Sequence, residues 1–144
     1  VKAQRQLTDE GRREAKAMGE ALRALKIPVG KVIASKFYRA QEAAKLLDVG
    51  EVTASVDVTE GGLVVSPREN QRRAKALREL LSTPTAEGKN TIIVSHKPNL
   101  QDAAGKEFGD LAESEVVVFW PLGEGKFKTV ARVVPSSKWT EWAK

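Results

Sequence analysis

The chain has no cysteine and only one histidine, His96. The first absence excludes disulfides, thiolate metal sites and a cysteine nucleophile together. It leaves the compartment open, since disulfide-free domains occur in oxidising and reducing surroundings alike. With one histidine and acids scattered without ligand spacing, no metal site is expected. No apolar run approaches the roughly 20 residues that cross a bilayer, so no membrane partner is expected. Aromatic residues make up 6% of the chain, and no basic stripe interleaves with them, which argues against a nucleic-acid groove. The net charge is +5. Bases nevertheless alternate with acids, as in Arg12, Arg13, Glu14, Lys16 and Glu20, and this reads as a solvated helix face. What remains is 144 residues, 41% hydrophobic and 30% charged, enough for one domain with its own core. The sequence opens on Val1 rather than Met and on polar residues, so a missing upstream piece is expected.

Thr8 is a good N-cap, and Asp9 and Glu10 follow where a helix dipole favours anions. Ala15, Met18, Leu22 and Leu25 then recur at helical spacing, predicting an amphipathic helix over 9–26 that Pro28 and Gly30 end. Residues 31–35 (KVIAS) read as a short buried strand, and Ala40, Ala43, Ala44 and Leu47 mark the inner face of a helix over 37–47. Residues 51–58 alternate as a peripheral strand, and Gly61 and Gly62 open a loop. Ser66, Pro67 and Glu69 form a capping box ahead of a helix with Ala74, Leu77, Leu80 and Leu81 inward, stopping before Pro84. Residues 91–95 (TIIVS) are the clearest buried strand, Asn99 caps a short helix ended by Gly105, and 115–120 with 127–134 suggest a hairpin around Gly123 and Gly125. Strands alternating with helices imply an α/β fold with a mostly parallel sheet covered on both faces, the hairpin adding an antiparallel edge.

In open α/β sheets ligands bind beyond the carboxyl ends of the strands. Two junctions of that kind carry chemistry here: Ser35-Lys36-Phe37-Tyr38-Arg39 and His96-Lys97-Pro98-Asn99. If their strands are parallel neighbours, Arg39 and His96 converge. Arg39 offers a charged planar fork for phosphate oxygens, and His96 a proton or hydrogen bond to an anion. A packed histidine and a solvated arginine are the alternative readings of the same two residues.

The segments RQLTDEGRREA (5–15), VIASKFYRAQEAA (32–44), IIVSHKPNLQD (92–102) and EVVVFWPLG (115–123) follow one another as in the histidine phosphatase superfamily. The chain resembles that phosphoglycerate-mutase-like group over nearly its whole length, and most of all its small bacterial phosphatase branch. The resemblance implies a three-layer α/β/α sandwich with a mostly parallel central sheet. It implies hydrolysis of phosphomonoesters or phosphohistidine through a covalent phosphohistidine, without metal or cofactor. The partner would be a small phosphorylated substrate or a phosphoprotein, and the chain a monomer, exported or cytoplasmic. Arg39, in the Ser35 to Arg39 stretch, would bind the phosphoryl group with Ser35, and His96 would complete the pocket. The larger insertions of the mutases are missing, which favours a phosphatase.

The family's Arg-His-Gly motif, which supplies the nucleophilic histidine at the end of a central first strand, is absent. The expectation is therefore that residues 1–144 form a single domain of this type without its first strand, the nucleophile lying upstream of Val1. The alternative is a catalytically inactive phospho-ligand-binding or scaffold domain. For the general acid the sequence offers Glu113 first, then Asp102, which also reads as a helix-capping acid, and Glu115. Trp139 and Trp142, three residues apart, are placed to pin the C-terminus to the body.

Overall fold

The computed structural model describes residues 6–61 and 64–144. Gly62, expected in a loop, and Arg5, in the first motif, lie outside the described residues. Helix α1 (Asp9–Ala24) begins as its sequence demands, with Thr8 Oγ1 accepting the Gly11 N–H at 2.9 Å. Strand β1 (Val29–Ala34) leads into α2 (Tyr38–Leu47), and β2 (Val52–Ala54) follows. The strand expected over 51–58 stops early because Ser55 Oγ takes the Asp57 N–H at 3.2 Å and turns the chain into a 3₁₀ segment, Val56–Val58. Helix α3 (Pro67–Ser82) starts on Ser66, whose hydroxyl accepts the Glu69 N–H. Only half of the expected capping box forms, since the Glu69 carboxylate turns to Arg72 and Arg73.

Strand β3 (Asn90–Val94) runs into α4 (Lys97–Ala104). Here the N-cap is His96, not Asn99, which is buried in the first turn and donates through Nδ2 to the Thr59 carbonyl. A 3₁₀ segment (Lys106–Asp110), the hairpin β4 (Val116–Gly123) and β5 (Lys126–Val133), and a short helix α5 (Ser137–Trp142) complete the chain. Positive φ at Gly123, Glu124 and Gly125 closes the hairpin, and the two glycines meet that need without steric cost.

Strand β1 is the middle of a three-stranded parallel sheet, with β2 on one side and β3 on the other. Side chains alternate across it. Val32, Ala34, Ile92, Val94 and Val52 pack with Ala44 of α2 on one face. Ile33 and Ile93 pack with Val58, Leu77, Leu80, Leu81 and Ala103 on the other. The result is the α/β/α layering expected from the sequence. Helix α1 lies across α2, and α5 packs on α1 with Trp139 and Trp142 edge to face at 5.3 Å.

The hairpin departs from expectation, because it forms a separate two-stranded sheet rather than an edge of the parallel one. Among the described residues β3 is bonded only to β1 and β4 only to β5. The apolar residues Ile92, Ile93 and Val94 are accordingly only half-buried. An edge-to-face series of Phe108, Phe119 and Phe127 builds the hairpin's apolar inner face, and α3 packs against both strands.

The α1–α2 contact depends on a missing side chain. A Cβ at Gly19 would lie 2.0 Å from the Leu47 carbonyl oxygen, on backbone that has no room to yield. In an exposed helix Gly→Ala stabilises by about 1 kcal/mol. Gly19→Ala should have the opposite sign and lower stability by about 1–3 kcal/mol, the usual cost of overpacking. Urea unfolding with far-UV circular dichroism checks this; an unchanged or higher midpoint would contradict the packing described.

Candidate active site

The parallel pairing of β1 and β3 brings two chain exits side by side. The Ser35 N–H donates to the Val94 carbonyl at 2.8 Å, so Ser35 and the Ser95-His96 pair leave the sheet at one level. A third exit joins them at buried Thr59. Its hydroxyl accepts the Lys36 N–H at 2.9 Å and donates to the Ser55 carbonyl at 2.8 Å. Its carbonyl accepts from Arg73 Nη1 and Asn99 Nδ2 at 3.0 and 3.1 Å. Thr59 thus ties the loop before α2 to α3 and α4, and it sets Glu60 at the same rim.

On that rim Arg39, in the first turn of α2, approaches His96 with Nη2 3.4 Å from Nδ1. The Phe37 ring backs both groups, 4.9 Å from the guanidinium carbon and 4.8 Å from the imidazole centroid. Arginine carries no acceptor, so Nδ1 receives and the neutral ring holds its proton on Nε2. That N–H donates to Ser35 Oγ at 2.7 Å. The same oxygen accepts the Phe37 N–H at 3.1 Å. Burial pushes the His96 imidazole down to about 4, and the Arg39 guanidinium adds to the effect. At neutral pH the pair is therefore a neutral acceptor beside a fixed cation.

The structure brings together three of the residues singled out by sequence, Arg39, His96 and Ser35. Ser35 is fully buried, so its hydroxyl supports the imidazole from behind. Glu60, not among the residues expected at the site, places its carboxylate 3.9 Å from Arg39 Nη2. Its signal was there to be used: an acid at the carboxyl-end junction of a third strand segment. A pocket of about 110 Å³ has Glu60, Arg73, Asn99 and Asp102 in its wall, and neither Arg39 nor His96 lines it. Asp102 lies in the second turn of α4, on this wall, and does not cap the helix.

The other acids are placed differently. Glu113 is exposed in the turn before β4, next to Ser114, whose hydroxyl donates to Glu14 of α1 at 2.9 Å. Glu115 is nearly buried and clamped by the Arg132 guanidinium and the Ala112 N–H. Its carboxyl is held below the usual range, chiefly by Arg132. A carboxylate fixed in this way anchors β5 to β4 and is a poor proton donor. Among the described residues no three His, Asp or Glu side chains gather where they could hold a metal ion.

Residues 3–61 match the model of the Histidine phosphatase superfamily (branch 1). No curated protein sequence matches the chain. Among solved structures the chain is similar to the protein histidine phosphatase SixA complexed with tungstate, with a TM-score of 0.65 and 19% identity over 94% of this chain and 87% of that one. It is similar to a protein described as phosphohistidine phosphatase SixA from Nakamurella multipartitia, at 0.66 and 17% over 92% and 86%. A phosphoglycerate mutase from Plasmodium falciparum matches at 0.59 and 15% over 88% and 93%. These likenesses establish the phosphoglycerate-mutase-like α/β fold, and the family match bears out the resemblance over the two segments that it spans, 5–15 and 32–44.

Since His96 is the only histidine of the chain, its ring protons give one titration curve by NMR. The midpoint should lie at about 4, and Arg39→Ala should move it upward. The same shift acts on stability. An unfolded histidine titrates near 6.5, so between pH 6.5 and 4 the unfolded chain binds the proton that the folded one refuses. Acidification through that window should lower stability more in the wild type than in His96→Asn, while above it the difference should be independent of pH. Urea midpoints across pH 4–7.5 measure it, and parallel curves would refute it.

Proposed function

We propose that this chain is a phosphatase domain that hydrolyses phosphomonoesters or phosphohistidine, with Arg39 and His96 as its phosphoryl pocket. The observation that carries the reading is their approach to 3.4 Å at the carboxyl ends of adjoining parallel strands. A tetrahedral anion there meets a guanidinium fork, and the exit of β3 is also the N-terminus of α4, where backbone N–H groups and the helix dipole favour negative charge. The tungstate bound by the SixA structure is an anion of that shape, which supports the reading.

In this proposal residues 1–144 are a single domain, working as a monomer and without a metal. The nucleophile is a histidine upstream of Val1, on a strand seated between β3 and β4 at the edges that are unpaired among the described residues. Its imidazole attacks phosphorus while the bond to the leaving oxygen or nitrogen breaks, and water then cleaves the phosphohistidine to release phosphate. Arg39 neutralises the phosphoryl oxygens throughout, and His96 answers the charge that builds on them during transfer. The leaving atom needs a proton. Glu60, beside Arg39, is better placed to give it than Glu113 or Asp102, and Glu115 is committed to Arg132. A small phosphorylated molecule and a phosphoprotein both fit a rim this open.

The second reading is a phospho-ligand-binding domain without turnover. It is favoured by the one histidine present, whose ring nitrogens are both engaged and unavailable for attack.

Two variants should differ in kind. Arg39→Ala removes a charge shared by ground and transition states, so both inhibition by phosphate and kcat/KM should weaken. His96→Ala should depress kcat by about 10²–10³-fold, as when one oxyanion donor is lost, beyond any loss of phosphate affinity. Steady-state kinetics on an aryl phosphate and a phosphohistidine peptide, with inorganic phosphate as inhibitor, separate them. Wild-type turnover in folded His96→Ala would remove His96 from the reaction. Phosphate binding without any turnover would favour the second reading.

A further inference from the structure

Ser35 is fully buried, yet it is the group that meets His96 from the protein side. The backbone fixes its place, since the Ser35 N–H is bonded to Val94 and Oγ accepts the Phe37 N–H. With Nε2–H directed at Ser35, the lone pair of Nδ1 is left on the side of Arg39. That arrangement suits an arginine but not an oxyanion, because a lone pair repels a phosphoryl oxygen. A proton on Nδ1 removes the conflict: the ring then donates twice, once to Ser35 and once to the anion.

We propose that Ser35 is a positioning residue that, together with Arg39, holds His96 as the Nε2–H tautomer, so that a tetrahedral oxyanion binds on the Arg39 side together with one proton, taken from solvent onto Nδ1. The proposal rests on the phosphoryl-pocket reading given above. Of the charged side chains on the elements around the ring, Lys36, Arg39, Glu60, Lys97 and Asp102 lie at the strand-to-helix exits or in the pocket wall, whereas Glu42 and Lys45 lie further along α2 and Asp57 pairs with Arg72. Arg39 opposes the proton while the site is empty. A dianion lying between Arg39 and the ring reverses that balance, because it sets two negative charges against the imidazolium. The site therefore selects for an anion whose charge outweighs that of Arg39, and binding is coupled to pH through His96.

Sulfate tests the coupling, being a dianion throughout the range used. Calorimetry at pH 5–7.5, in buffers of different ionisation enthalpy, should show close to one proton taken up per sulfate. Affinity should weaken about tenfold per pH unit where the uptake is complete. In Ser35→Ala the Nε2–H loses its acceptor and the Nδ1–H tautomer gains, so sulfate should bind with fewer protons and a shallower pH dependence. Long-range ¹H–¹⁵N spectra read the tautomer without any anion: Nε2–H in the wild type, a mixture in Ser35→Ala. Ser35→Cys keeps the packing with a weaker acceptor, and should behave in the same way if alanine loosens the site. Sulfate binding without proton uptake in the wild type would overturn the proposal, as would identical tautomer and uptake in wild type and both variants. Absence of sulfate binding, with the wild-type tautomer as assigned, would instead overturn Arg39 and His96 as a phosphoryl pocket, and the coupling with it.

Discussion

Ala34 and Val94 are partners in the parallel ladder of β1 and β3, and both strands end there. Because the ladder is parallel and in register, the chain leaves the sheet twice at the same height, and the Ser35 N–H extends the ladder one step by bonding to Val94. Everything in the candidate site is built on that coincidence. It places Ser35 under the imidazole, starts α2 so that Arg39 turns toward His96, and starts α4 with His96 as its N-cap. A slip of one residue would turn Val94 and Ile93 to opposite faces and part the two exits.

Thr59 is the second constraint. It offers a hydroxyl and a carbonyl to four partners from the β1–α2 loop, the segment before it, α3 and α4. Polar groups buried at a rim need partners, and here each partner is a segment that shapes the pocket. The network explains how a short loop holds Glu60 beside Arg39 with no regular structure of its own. It also explains the burial of Asn99, an amide in the first turn of α4 that ties the helix to Thr59.

The electrostatics of the pocket follow from how little the ring is hydrated. A half-buried imidazole next to a guanidinium stays neutral over the physiological range, so beside His96 the charge is that of Arg39, tempered by Glu60 at 3.9 Å. Elsewhere the charges serve the scaffold. Glu69 gathers Arg72 and Arg73 on α3, and Arg132 joins Asp110 and Glu115 where the hairpin begins. Among the described residues these arginines are held in ion pairs that join one part of the scaffold to another.

The sequence alone determined what depends on near neighbours along the chain. Helical spacing, the Thr8 and Ser66 caps and the apolar runs at 31–35 and 91–95 located the helices and the two buried strands, because those signals act within one or two turns. Arg39 and His96 were legible as a pair because each lies in the strand-to-helix junction that follows such a strand. Three matters were decided only by tertiary structure. His96 became the cap of α4 and Asn99 a buried tie, since Thr59, 40 residues away, competes for the amide. Glu60 joined the site because pairing across the sheet brought a third exit to the rim, so that an acid at a strand's carboxyl end became a neighbour of Arg39. The hairpin stands apart from the parallel sheet because strand pairing is settled by which edges meet in space, and alternation within 116–133 says only that the two strands pair with each other.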